Sequence, residues 1–232
     1  MNKRLALIIP HTDITLETDL QNYIPKDVIL HTHRIWLDEV GEEAEKQMVQ
    51  DALPKGIQYL KGNARYEASI FGCTSASAVF GQEGLIRLER MLSDELQCSS
   101  ISAFGAVLKS IEDSARDLKK TLSSLRVGLI TPYTETVNDF MVKSLGAFDV
   151  KVNISFGLGL SDDRDISKVP PNQIMDFVEK NSKALKENCD LVFMSCTNMR
   201  ALEVREDVES LLGICTITSN YSIITWLTSI LE

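Results

Sequence analysis

The chain repeats itself. LALIIP at 5–10 is echoed by VGLITP at 127–132, FGCTSAS at 71–77 by FMSCTNM at 193–199, and CSSIS at 98–102 by CTITS at 215–219. The spacing is kept as well: Cys73 follows Pro10 by 63 residues and Cys196 follows Pro132 by 64. Two stretches with the same order of similar segments are expected to fold into two similar lobes. We place the first lobe at 1–105 and its pseudo-repeat at 106–219. The closing segment, 220–232, is expected to pack back onto the first lobe.

Within each half, short β-branched apolar runs alternate with longer helical patterns. Strands are expected at 5–10, 28–31, 68–73, 98–102, 126–131, 150–155, 191–196 and 214–219, with helices over 105–120 and 171–188. In the second helix Ile174, Phe177, Val178 and Leu185 share one face at helical spacing. Strands alternating with helices imply βαβ units. The expected fold class is therefore α/β: two pseudosymmetric lobes, each a mainly parallel four-stranded sheet flanked by helices. Ligands of open parallel sheets bind beyond the carboxyl ends of strands. A pseudo-twofold axis would bring Cys73 and Cys196, both at such ends, into opposition across one cleft.

Composition removes several alternatives. A net charge of −9 argues against nucleic acid as a partner, because phosphate binding needs a basic face. The apolar N-terminal stretch stops at Pro10, too short for a secretory core, and reads as a buried first strand. Leu211–Leu231 is uncharged, but eight Ser, Thr and Asn residues within it argue against a membrane span; a strand, a turn and a final helix are expected. Five cysteines without an export signal suggest reduced thiols in the cytoplasm. With no CxxC and only three histidines, no metal site is expected. The acidic run at 38–46 reads as a solvated helix face.

Each repeated cysteine is followed by residues suited to cap a helix: Thr74 and Ser75 after the first, Thr197 and Asn198 after the second. Free N–H groups at a helix start hold anions and lower the pKa of a nearby thiol. Two such turns facing each other would set an acid on one face of a carbon and a base on the other. That arrangement suits racemisation, or thiolate addition to a double bond followed by rotation and elimination. Cys98, Cys189 and Cys215 lack this context and read as packing residues.

The segments FGCTSAS, RVGLITPYTETVNDF and FMSCTNMRALE together make the chain similar, over nearly its whole length, to the maleate cis–trans isomerase and arylmalonate decarboxylase branch of the Asp/Glu racemase superfamily. The resemblance implies chemistry without cofactor or metal. It assigns the catalytic thiols to Cys73, the nucleophile, and Cys196, the proton handler, and a substrate carboxylate to Thr74, Ser75, Tyr133 and N–H groups near Cys196 and Thr197. In the decarboxylases the first cysteine position is typically glycine, so Cys73 favours an isomerase. The chain departs from the isomerases at two carboxylate-binding asparagines. Asp13 stands in the first place, and Asp162 or Asp163 in the second, with Asp163 taken as the site residue. An ionised aspartate repels a carboxylate, so these changes suit a substrate bearing an amino or other donor group.

The expected partner is a small carboxylic acid, such as an amino acid or an unsaturated dicarboxylate, handled by a homo-oligomer (dimer or tetramer). Two other readings compete. One is decarboxylation of a substituted malonate with Cys196 as proton donor; the other is a thiol redox or small-anion binding protein. His11 lies near the expected cleft. His31, His33, Arg200, Glu135 and Asp139 read as structural.

Overall fold

The computed structural model describes residues 3–231. The first sheet contains β1 (Arg4–Pro10), β2 (Ile29–Ile35), β3 (Ala68–Phe71) and β4 (Ser99–Ser102), ordered β2-β1-β3-β4. The second contains β5 (Val127–Tyr133), β6 (Val152–Leu160), β7 (Leu191–Met194) and β8 (Cys215–Thr218), ordered β6-β5-β7-β8. All pairings are parallel. Leu5 pairs with Leu30 and Ala68, just as Val127 pairs with Val152 and Leu191. The two halves thus share topology as well as sequence order, although β5 and β6 slip register at Val127/Gly128 and again at Thr131/Tyr133, where β1 and β2 pair without a shift.

The helices follow the expected alternation. In the first half they are α1 (Thr15–Tyr23), α2 (Glu42–Gln47), α3 (Leu53–Leu60), α4 (Thr74–Ala78), α5 (Gly81–Leu96) and α6 (Ala103–Asp117). In the second they are α7 (Glu135–Gly146), α8 (Asp163–Ile166), α9 (Pro171–Asn188), α10 (Arg205–Leu212) and α11 (Ser219–Leu231). A π-helical turn, Met48–Ala52, joins α2 to α3. It ends two residues before Pro54, whose missing N–H and ring disrupt the regular ladder of hydrogen bonds. Among the described residues no helix is long and apolar enough to cross a membrane.

The central strand β1 shows why a continuous apolar run belongs in a parallel sheet. Leu5, Leu7 and Ile9 pack toward α1 and α11 on one face, and Ala6 and Ile8 pack toward α3 and α5 on the other. Each such burial is worth about 1.5–3 kcal/mol. The last helix departs from the second half: Ile223, Leu227 and Leu231, at helical spacing, join the cluster built on β1. It begins directly after β8, with no intervening turn.

All eight strands occur where the sequence places them, with shifted ends. β2 and β6 run on to residues 35 and 160, whereas β3 and β7 stop at 71 and 194. Cys73 and Cys196 therefore sit two residues beyond their strands, in the loops. At Gly72 a Cβ would lie 2.3 Å from Leu16 Cδ2 and 2.8 Å from Ile9 Cγ2, so the loop touches α1 too closely for any side chain. Gly72→Ala is expected to lower stability by about 1–3 kcal/mol through overpacking. Urea denaturation measures this, and an unchanged midpoint would show that the contact is not tight.

Candidate active site

The loops after β1, β3, β5 and β7 converge between the two sheets. Cys73 and Cys196 line one small cavity together with Asp13, Thr74, Ser75, Tyr133, Asp163, Thr197 and Glu45, with Pro10, Leu37 and Val40 completing its wall. Its free volume is about 10 Å³, room for roughly one water molecule. A neighbouring cleft of about 400 Å³ shares Leu37 and Asp163 with it and opens outward past His11, Thr12 and Trp36. Residues of the wall must move for anything larger than water to enter.

Both cysteine loops are tied to a single hydroxyl. Ser219 Oγ accepts from Thr74 Oγ1 at 2.8 Å and from the Cys196 backbone N–H at 3.1 Å. Thr197 Oγ1 also donates to the Gly72 carbonyl at 3.4 Å. Cys196 has φ = 118°, a left-handed backbone that disfavours a side chain by about 1–3 kcal/mol. The surrounding bonds hold the residue there.

The two turns are less alike than their sequences. A helix does start after Cys73, the five-residue α4, but Cys73 itself takes the N-cap position, and Thr74 and Ser75, expected as the caps, lie inside the helix. After Cys196 there is no α-helix start: turns run to Ala201, followed by a 3-10 turn, Leu202–Val204. Asn198 does not line the cavity. Its side-chain amide donates to the Asp163 carbonyl at 2.9 Å, and its oxygen accepts from the Ile14 N–H at 3.1 Å, stitching the first lobe's loop to α8. Asp162 also faces away, capping α8 through the Arg164 N–H at 2.9 Å.

The electrostatics correct the expectation of helix-stabilised thiolates. Burial pushes both thiols upward, with the Glu45 charge adding at Cys73 and the Asp163 charge at Cys196. The Tyr133 hydroxyl, beside Cys196, is pushed well up by burial too. Both sulfurs are thiols at rest.

Glu45 overturns the reading of 38–46 as wholly solvated. It is 1% exposed and accepts a hydrogen bond from the Ser75 hydroxyl through Oε1, while Oε2 has no partner. A signal was present: Glu45, Met48, Val49 and Leu53 form one helical stripe, and all four are buried. Asp13 accepts from the Thr15 and Leu16 N–H groups at 3.0 Å through Oδ1, and its Oδ2 is unpartnered. Asp163 accepts from the Thr12 hydroxyl and the Asn198 amide. Among the described residues no lysine, arginine or histidine lines the cavity.

Outside it, His11 stacks on Trp36 in the outer cleft at 4.2 Å, His33 stacks on Tyr59 at 4.9 Å, and Arg200 pairs with Glu203 at 2.6 Å. Arg4 Nη1 bonds His31 Nε2 at 2.9 Å, and Glu135 lies in the first turn of α7. Of the three cysteines read as packing residues, Cys189 is buried, Cys98 half-buried and Cys215 exposed. Cys215 opens an edge strand, where its side chain reaches solvent.

Burial raises the Asp13 carboxyl from 3.8 to about 7 and the Glu45 carboxyl from 4.5 to about 8. Asp163 nearby adds to both and is itself raised by burial. Between the unfolded and folded values the folded chain binds more protons, so these groups lower stability as pH climbs from about 4 to about 8. We expect urea midpoints to fall between pH 5 and pH 8 and Glu45→Gln to flatten that slope. A slope unaltered in the variant would place Glu45 in water.

The sequence profile of the arylmalonate decarboxylase family matches residues 5–228. No curated protein matches the chain. Among solved structures, Nocardia farcinica maleate cis–trans isomerase, captured with a covalently bound succinylcysteine intermediate, superposes with a TM-score of 0.82. It is 21% identical, over 99% of this chain and 92% of the other. An arylmalonate decarboxylase carrying glycine-to-cysteine and cysteine-to-serine substitutions gives 0.81 at 18% identity, over 98% and 91%. The maleate isomerase of Pseudomonas putida gives 0.78 at 19%, over 99% and 92%. These structures share the two-sheet fold, and the profile spans nearly the whole sequence: the chain belongs to the arylmalonate decarboxylase family.

Proposed function

We propose that the protein is a cofactor-independent isomerase in which Cys73 and Cys196 act from opposite sides of a small carboxylic acid. The observation that carries this reading is that two buried thiols, from equivalent loops of a repeat, line one small cavity. Backbone N–H groups at the start of α4, with Thr74, Ser75, Tyr133 and Thr197 around them, are suited to receive the carboxylate.

In a racemisation, one sulfur as thiolate takes the α-proton, breaking C–H and forming S–H, and the charge spreads into the carboxylate as an enediolate. The other thiol then delivers its proton to the opposite face. In a cis–trans isomerisation, Cys73 sulfur adds to the alkene and the displaced pair is held as a carbanion beside the carboxylate. Rotation about the new single bond and elimination of the thiolate complete the change. The succinylcysteine intermediate of the Nocardia isomerase is the precedent for this covalent route. Either path needs one thiol to give up its proton to solvent as the substrate enters, because burial keeps both protonated at rest.

The family's description favours a second reading: decarboxylation of a malonate, with Cys196 protonating the enediolate. Cys73 weighs against it, since the resemblance implies glycine at this place in the decarboxylases, two of whose matching structures carry a glycine-to-cysteine substitution. We further propose a cytoplasmic location, which five unpaired cysteines suit.

Cys73→Ala and Cys196→Ala are each expected to reduce turnover by at least about 100-fold without loss of the fold, in line with removal of a catalytic acid or base. Incubation in deuterated water, read by mass spectrometry, should place label at the α-carbon for a racemase. Full turnover in either variant contradicts the two-thiol scheme, and carbon dioxide release that survives Cys73→Gly establishes the decarboxylase.

A further inference from the structure

The cavity is acidic in a way that the proposed chemistry does not use. Three carboxyl groups, Asp13, Glu45 and Asp163, line it beside the thiols, and among the described residues no cationic side chain does. Asp163 is hydrogen-bonded, but Asp13 Oδ2 and Glu45 Oε2 are buried without partners. Buried acceptors are almost always paired, and an orphaned one costs about 1–3 kcal/mol. Both residues are 1% exposed, so bulk water does not satisfy them.

From these orphaned oxygens we infer that the substrate carries a protonated amine, held by Glu45 and Asp13, so that the enzyme acts on α-amino acids rather than on dicarboxylates. A second substrate carboxylate would find no cationic side chain to pair with and would hold the carboxyls still more firmly in their protonated forms. An ammonium supplies three N–H donors and the missing positive charge. It also stands near both sulfurs and favours the thiolate that turnover needs, whereas a dianion would push both thiols further up. Glu45 enters from α2, so specificity for the amine would come from an element that carries neither thiol.

This inference rests on the two-thiol isomerase reading, and binding separates the two. Titration calorimetry at pH 7 would compare α-amino acids of both hands with 2-hydroxy acids of the same carbon skeleton, and with maleate. A variant with both thiols replaced, Cys73→Ser with Cys196→Ser, removes turnover from the measurement. We expect at least one amino acid to bind ten times more tightly than its hydroxy counterpart and than maleate, and Glu45→Gln to remove most of that preference. Asp13→Asn, which keeps the Oδ1 cap of α1, is a second variant expected to act in the same direction. If neither single variant folds, the amino–hydroxy comparison alone decides. An absence of preference for any amino acid, tighter binding of maleate, or a preference intact in folded Glu45→Gln overturns the inference. Amino acids that bind without exchanging their α-proton would instead overturn the isomerase reading and leave this one standing.

Discussion

The Ser219 hydroxyl is the joint on which the site depends. It accepts from Thr74, next to Cys73, and from the N–H of Cys196 itself. Ser219 also begins α11, whose apolar face packs on the first sheet. The position of one lobe is thereby passed to the thiol of the other. All three partners are buried, so loss of this acceptor would leave two donors unpaired at about 1–3 kcal/mol each. The strained backbone of Cys196 depends on the same contact.

Around that joint the cavity is small, buried and acidic. Burial works in the same direction on every titratable group: thiols, tyrosine and carboxyls all favour their protonated forms. A resting site of this kind is unreactive until something enters past the outer cleft. The carboxyls then become the means of selecting what enters, because only a ligand bringing donors or positive charge makes their ionisation favourable.

Much of the fold was legible because it was written twice. A buried parallel strand needs a continuous apolar run, and LALIIP and VGLITP each supply one at the same distance from a cysteine. The meeting of Cys73 and Cys196 followed from topology alone. What the repeat concealed was divergence in detail: Ser102 and Ser219 occupy matching places, yet the first caps its own helix and the second bridges two lobes. Likewise Thr197 and Asn198 copy Thr74 and Ser75 in sequence without starting a helix. Glu45 was missed because its neighbours Glu42 and Glu43 are solvated, and acidic composition outweighed the apolar stripe it continues. The pKa directions were misread because capping is a local signal, whereas burial is set by the far lobe.

The central claim is that both sulfurs share one space too small for two guests. With Cys98 and Cys215 replaced by serine, native protein can be treated with iodoacetate and the modification at Cys73 and Cys196 counted by intact mass and peptide mapping. Native chains are expected to carry one carboxymethyl group at Cys73 or at Cys196 but never at both, and denatured chains three, with Cys189 as the third site. Native chains modified at Cys73 and Cys196 together would place the thiols in separate cavities and contradict it.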